Sequence, residues 1–221
     1  MLEIACFNTE SAIAAANAGA DRIELCADYA AGGVTPSLAA LQQLRQKASL
    51  PVNVMIRPRA GNFVYSDTEY EEMITQIETF KTEASGFVFG ILDSDDRVDI
   101  GRNQKLVELA KPLPCTFHRA FDQIGDMNEA TEQLIACGFR SILTSGGQSN
   151  AVAGAAQVAK LHRQWGAQIS FILGGGVRST NVGGLKDETS VEWYHSAAIT
   201  QGGEDVDEDE VAKLQSALSQ R

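Results

Sequence analysis

The chain has 221 residues, 44% of them hydrophobic and 21% charged, which suits one large domain with a substantial core. A formal net charge of −11 disfavours nucleic acid and anionic membranes as partners, because phosphate groups bind basic surfaces. No apolar run approaches the roughly 18 residues that span a bilayer. The opening MLEIACFN lacks the basic and long apolar regions of a secretory signal, and the four scattered cysteines read as free thiols, so a cytoplasmic location is expected.

Short apolar runs bounded by turn residues predict eight strands in chain order: LEIAC (2–6), DRIELC (21–26), PVNVMIR (51–57), GFVFG (86–90), PCTFH (114–118), RSILT (140–144), QISFIL (168–173) and VEWYH (191–195). Between them lie helical segments, several opening with Ser, Thr or Asp and closing at Gly. The strands recur about every 27 residues, and strand alternating with helix at that pitch implies parallel pairing. The fold class is therefore α/β, a (β/α)8 TIM barrel forming a single domain over residues 1–221. The acidic run of Glu204, Asp205, Asp207, Glu208, Asp209 and Glu210 reads as a solvated lead into a last helix, where negative charge suits the helix dipole.

In such barrels chemistry collects where the strands end at their C-terminal side, because only those loops share one concave face. The unusual residues fall there: Cys6, Glu24 and Cys26, Arg57 and Arg59, His118 and Arg119, Ser145 to Gly147, Gly174 to Gly176, and His195. Alternation of side chains along a strand refines this. Ile23 and Leu25 suit the helix-facing side, leaving Arg22, Glu24 and Cys26 inward; Asn53, Met55 and Arg57 follow in strand three, and Thr116 and His118 in strand five. A barrel filled only for stability would use Val, Ile and Leu there, so a pocket is expected.

In that pocket Arg57, Arg59 and Arg119 would clamp a small anionic ligand, with backbone amides of Ser145, Gly146, Gly147, Gly174, Gly175 and Gly176 cradling its charge and His195 beside it. Glu24 or His118 would transfer a proton, and Asp122 would orient His118 or the arginines. The alternatives are a structural Glu24–Arg57 pair, a core histidine at 118, and glycines that serve only tight turns.

The stretches IELC, GGVTPS, MIRPRAGNFVYSD, TFHRAFD, LTSGG, GGGV and EWYHSAA resemble the CutC family of copper-homeostasis proteins, from Leu2 to about Ala198. The resemblance implies a cytoplasmic TIM-barrel homo-oligomer binding Cu(I) through cysteines, here Cys26 with Cys6 as the weaker second ligand. The family's strand-one cysteine follows Glu-x-Cys, a position filled here by Ala5. Cys6 comes one residue later and by alternation leans toward the helices. The chain has no CxxC and no Met-rich or His-rich tract. The segment after strand eight is shorter than the family's, which predicts a shortened last unit. Two function classes remain: a copper-homeostasis protein with an enzyme-like anion pocket, and an enzyme acting on a small phosphorylated or carboxylated metabolite with no direct copper role.

Overall fold

The computed structural model describes residues 1–219. The eight strands are β1 Leu2–Cys6, β2 Arg22–Leu25, β3 Val52–Met55, β4 Gly86–Phe89, β5 Cys115–Phe117, β6 Ser141–Thr144, β7 Ser170–Leu173 and β8 Trp193–Ser196. Each pairs in parallel with the next, and β8 returns to β1 with Leu2 opposite Tyr194 and Glu3 opposite His195. The barrel is closed in sequence order.

The helices are α1 Thr9–Asn17, α2 Leu38–Lys47, α3 Asp67–Phe80, α4 Ile100–Ala110, α5 Met127–Cys137, α6 Ala151–Trp165, α7 Val182–Thr189 and α8 Glu208–Ser219, with a 3-10 turn at Arg119–Gln123. Local chemistry fixes where they begin. Asn8, Ser37, Ser66, Asp99, Asp126 and Asn150 each accept an amide hydrogen bond from the first turn, satisfying a donor that the helix cannot. The eighth unit has both its strand and its helix, and the acidic run supplies Glu208, Asp209 and Glu210 to the first turn of α8. Among the described residues no helix is long and apolar enough to cross a membrane.

Alternation divides the interior into two unlike layers. Outward strand residues such as Leu2, Ile4, Ile23, Leu25, Val54, Phe87, Phe117 and Phe171 join the main hydrophobic core beneath the helices. The lumen is polar, with Glu3, Glu24, Asn53, Arg57, Thr116, His118 and Ser141 all buried. Its apolar residues include Ala5, Leu143 and a small cluster of Cys26, Met55 and Val88 with Phe7 against it. The four cysteines are free and buried.

One close approach locks a helix to the mouth of the barrel. A Cβ on Gly154 of α6 would sit 1.7 Å from the Ser145 carbonyl oxygen, which is backbone and has nowhere to go. We therefore expect Gly154→Ala to lower the urea midpoint with little change in slope, a loss of roughly 2–3 kcal/mol despite alanine's better helix propensity. An unchanged midpoint would show that α6 does not seat on this loop.

Candidate functional site

A cavity of about 410 Å3 opens at the C-terminal end of the barrel, within the range of small-molecule sites. Glu24, Cys26, Met55 and His195 line its depth, Phe7, Tyr29 and Phe63 one wall, and Arg119, Arg178, Gly175 and Gly176 the opposite side. Arg57 and His118 also border it. Alternation along β2, β3 and β5 delivers the three inward residues predicted from sequence, Glu24, Arg57 and His118, to this one space.

The deepest part is a chain of charge. Arg22 lies with its guanidinium carbon 3.7 Å from the centre of the Trp193 ring. Its Nε donates to Glu3 Oε2 at 2.5 Å, and Asn53 Nδ2 reaches the same oxygen at 3.5 Å. Glu3 Oε1 meets His195 Nδ1 at 2.8 Å, and His195 Nε2 stands 3.7 Å from Glu24 Oε2. Cys26 Sγ donates to that Oε2 at 3.6 Å, whereas Glu24 Oε1 is buried with no partner. Burial pushes the Glu24 carboxyl up to about 7, His195 draws it back only in part, and ionised Glu3 pushes it further. Glu3 itself is held below the usual range because, although burial opposes ionisation, Arg22 and His195 outweigh it. Burial would lower His195, yet Glu24 and Glu3 together raise it.

His118 is the opposite case. Burial and then the Arg57 charge drive its pKa down to about 3, so it is neutral under physiological conditions. Its Nδ1 accepts from the Ala120 amide at 3.3 Å, which puts the proton on Nε2, and Nε2 is buried without a partner. Phe63 covers the ring at 4.7 Å, and the absence of a side chain on Gly90 is what admits it, since a Cβ there would come within 2.7 Å of Nδ1. His118 therefore offers a hydrogen bond and does not act as a base at neutral pH.

Several predicted roles change. Arg57 donates to the carbonyls of Ala31, Gly33 and Gly61, so it ties the loops after β2 and β3 together and keeps only Nε unpartnered. Arg59 is not in the cavity: Glu69 Oε1 at 2.5 Å and the carbonyls of Ala60, Asn62 and Val64 hold it within its own loop. Ser145, Gly146 and Gly147 do form an amide cradle, but the chain fills it. The Ser145 and Gly147 amides donate to Asp122 Oδ1 at 2.9 and 3.1 Å, joined by the Thr144 hydroxyl, while the Gly146 amide turns to Thr144 Oγ1. Asp122 is thus a clasp between the loops after β5 and β6, bonded also to Arg119 Nε at 2.8 Å, and it does not touch His118. The Gly174 amide donates to the Thr144 carbonyl, whereas those of Gly175 and Gly176 make no hydrogen bond among the described residues.

Sequence reasoning passed over Glu3 and Arg178. Glu3 shares the inward parity of Ala5, so its signal was present in LEIAC. Arg178 follows the glycine triplet and bonds Ser196 Oγ at 3.0 Å and the Ile199 carbonyl, joining the loops after β7 and β8. Phe7, Tyr29 and Phe63 sit outside any regular element, and no periodicity marks them.

The residues do not fit a two-cysteine Cu(I) site. Ala5 faces the lumen where the family pattern has a thiol, Cys6 packs in the outer core with Leu2 and Ile4, and Cys26 points inward beside Met55 and Val88. Burial and then Glu24 raise both thiols, disfavouring the thiolate that the metal needs. Among the described residues, one group of three carboxylate and imidazole donors comes within 4.8 Å: Glu3, Glu24 and His195, whose hard and borderline atoms do not suit Cu(I) and which are already bound into the charge chain.

The two raised groups set a pH dependence. Folding lifts Glu24 above its ordinary 4.5, so between that value and about 7 the native state holds a proton the unfolded chain has released, and stability falls as pH rises across the window. His195 acts in the same sense, because a raised histidine stabilises below its ordinary 6.5 and loses that contribution as pH rises through its folded value. His118 works against them below 6.5, because its ring is neutral in the native state where the unfolded one is protonated. The urea stability of wild type relative to Glu24→Gln should therefore fall as pH rises from about 5 to 7, and the Glu24 carboxyl carbon shift should titrate near neutrality. A midpoint near that of a free glutamate would remove Glu24 from the reading below.

Comparison with known proteins agrees with this architecture. The CutC family profile matches residues 1–200. The human copper homeostasis protein cutC homolog is 40% identical over 199 residues, 90% of this chain and 73% of the human one. A CutC family protein of Mesorhizobium japonicum is 40% identical over 200 residues, 90% of this chain and 78% of that one. The crystal structure of a CutC protein from Streptococcus agalactiae superposes with a TM-score of 0.83 at 33% identity, covering 89% of this chain and 98% of that one. Thiamine phosphate pyrophosphorylase from Pyrococcus furiosus shares the fold alone, at a TM-score of 0.66 and 15% identity over 98% of this chain and 94% of the other. With the profile spanning nearly the whole barrel and relatives at this identity, the chain belongs to the CutC family.

Proposed function

We propose that the barrel mouth is a binding site for a small carboxylated or phosphorylated molecule on which Glu24 performs acid–base chemistry. The observation that carries this reading is the state of Glu24: a buried carboxyl bordering a cavity, with a pKa raised to about 7 and one oxygen free of any partner. Interiors leave few polar side-chain atoms unpaired. Glu24 Oε1, His118 Nε2 and Arg57 Nε are three such atoms on residues around the same cavity.

The anion end of the ligand would lie against the opposite side. Arg119 commits Nε to Asp122 and Nη2 to Ser145, which leaves Nη1 beside Gly175, and the free amides of Gly175 and Gly176 add two donors there. Arg178 contributes charge from the same rim. Neutral His118 supplies a directed hydrogen bond, and Glu24, near half-protonation at neutral pH, is placed to give or take a proton. The aromatic wall of Phe7, Tyr29 and Phe63 would cover the uncharged part of the molecule.

The relatives are named for copper homeostasis, and one inward thiol, Cys26, is the feature that favours direct Cu(I) binding here. Paired titrations separate the two readings. Inorganic phosphate, followed through the Gly175 and Gly176 amide signals, should bind wild type and bind Arg119→Met about 10- to 100-fold more weakly, from the loss of a charge-assisted contact of roughly 1.5–3 kcal/mol. Cu(I) against a competing chelator should distinguish wild type little from Cys26→Ser. If Cys26→Ser abolishes tight Cu(I) binding in a folded protein while Arg119→Met leaves phosphate binding unchanged, the acid–base reading is wrong and the copper reading stands.

A further inference from the structure

We infer that Glu3, clamped by Arg22, is a positioning residue that holds His195 as its Nδ1–H tautomer, so that the bare Nε2 faces Glu24 and the two side chains share a proton beneath the cavity. This rests on Glu24 being the acid–base group of the site and assigns it a partner.

The geometry leaves little freedom. Glu3 is 1% exposed, and both its oxygens are occupied, Oε2 by Arg22 at 2.5 Å and Asn53 at 3.5 Å, Oε1 by His195 at 2.8 Å. An ionised carboxylate only accepts, so the ring nitrogen facing it must carry hydrogen. That nitrogen is Nδ1. A neutral ring with hydrogen on Nδ1 presents a lone pair at Nε2, which stands 3.7 Å from Glu24 Oε2. The gap exceeds a direct hydrogen bond and is closed by a small side-chain rotation or by one bridging water.

The proton bookkeeping closes without a co-reactant. Protonated Glu24 with neutral His195, and ionised Glu24 with the imidazolium, differ by one proton moved from Oε2 to Nε2. As an acid the pair gives that one proton to a ligand from Glu24, the imidazolium passing it across from Nε2 first where it held it, and is left with ionised Glu24 and a neutral ring. From that emptied state Glu24 takes a proton and the neutral ring accepts it onward at Nε2. The groups facing His195 are Glu3 on β1 and Arg22 and Glu24 on β2, with Arg178 at the rim of the same cavity. Arg22 has its other face on Trp193 of β8, so Glu3 is braced by the strand that carries His195.

The chain has three histidines, so nitrogen NMR of 15N-histidine protein resolves each ring. At about pH 9, above the usual histidine range, His195 should show hydrogen on Nδ1 and a bare Nε2, and His118 the reverse. Replacing the clamp as a pair, Arg22→Met with Glu3→Leu, should release His195 to a mixture favouring hydrogen on Nε2, while His118 keeps its pattern as the internal control for folding. Glu3→Gln, a smaller change, should lower the His195 titration midpoint by at least about one pH unit, because a facing negative charge is lost. Wild-type His195 with hydrogen on Nε2, persistence of the Nδ1–H form in the paired variant, or an unmoved midpoint in Glu3→Gln would each overturn the inference. None of these readouts involves an anion: a protein that shows them yet does not bind phosphate disproves the proposed function alone, and the converse result disproves this inference alone.

Discussion

The ion pair between Arg22 and Glu3 inside the barrel is the interaction on which the site above it depends. Closing β1 against both β2 and β8 sets Glu3 opposite Arg22 on one side and His195 on the other, so three ionisable side chains meet largely out of water, Glu3 fully buried between the two. Charges so placed cost several kcal/mol each unless they are paired and hydrogen-bonded, and an apolar filling of equal volume is often as stable or more so. The outward face of β1 and β2 is apolar throughout, which shows that the chain packs apolar residues where packing alone decides. A polar lumen in this setting is explained by what it supports. With Glu3 neutralised from below, His195 is held upright, and among the described residues Glu24 is left as the one buried carboxyl with an unsatisfied oxygen.

His118 and His195 show how far environment separates two identical side chains. Both stand at the C-terminal ends of barrel strands with their rings against the same cavity. His118 lies under Phe63 and near the Arg57 guanidinium, so no carboxylate offsets its burial and it stays neutral. His195 lies between two carboxylates, which outweigh the same burial. The division resembles that in enzymes where one titratable group is kept as a neutral donor and another is poised to exchange a proton. A ligand lying between them would meet a fixed hydrogen bond on one side and a mobile proton on the other.

The strands and their inward faces were legible in the sequence because both follow from local pattern. Runs such as PVNVMIR and TFHRAFD carry the period of two that places Arg57 and His118 in the lumen. What the loops do with their residues was not legible. Arg59 and Arg119 look equivalent in sequence, each just past a strand, yet Arg59 is consumed by Glu69 and the carbonyls of its own loop, while Arg119 reaches the rim. The cradle of Ser145 to Gly147 has the composition of an anion site, and so it is, but for a carboxylate from elsewhere in the chain, Asp122. Composition reports that amides are available. It does not report what has already occupied them, which depends on contacts more than 20 residues apart in sequence.

The same alternation that exposes Glu24 to the cavity bears on copper. A side chain moved by one position along a strand passes from lumen to outer wall, and the outer wall here is closed by helices. Ala5 pairs with Glu24 across β1 and β2, so a thiol at position 5 would enter the lumen on the Cys26 side, whereas the thiol at position 6 is packed with Leu2 and Ile4. One step of sequence thus separates a two-thiol lumen from a one-thiol lumen. Because that step leaves Glu3, Glu24 and His195 in place, the charge chain does not depend on any cysteine pair. The fold alone decides neither function, being shared with a thiamine phosphate pyrophosphorylase at 15% identity; what distinguishes the two is the set of side chains in the lumen, where carboxylates and imidazoles outnumber sulfur.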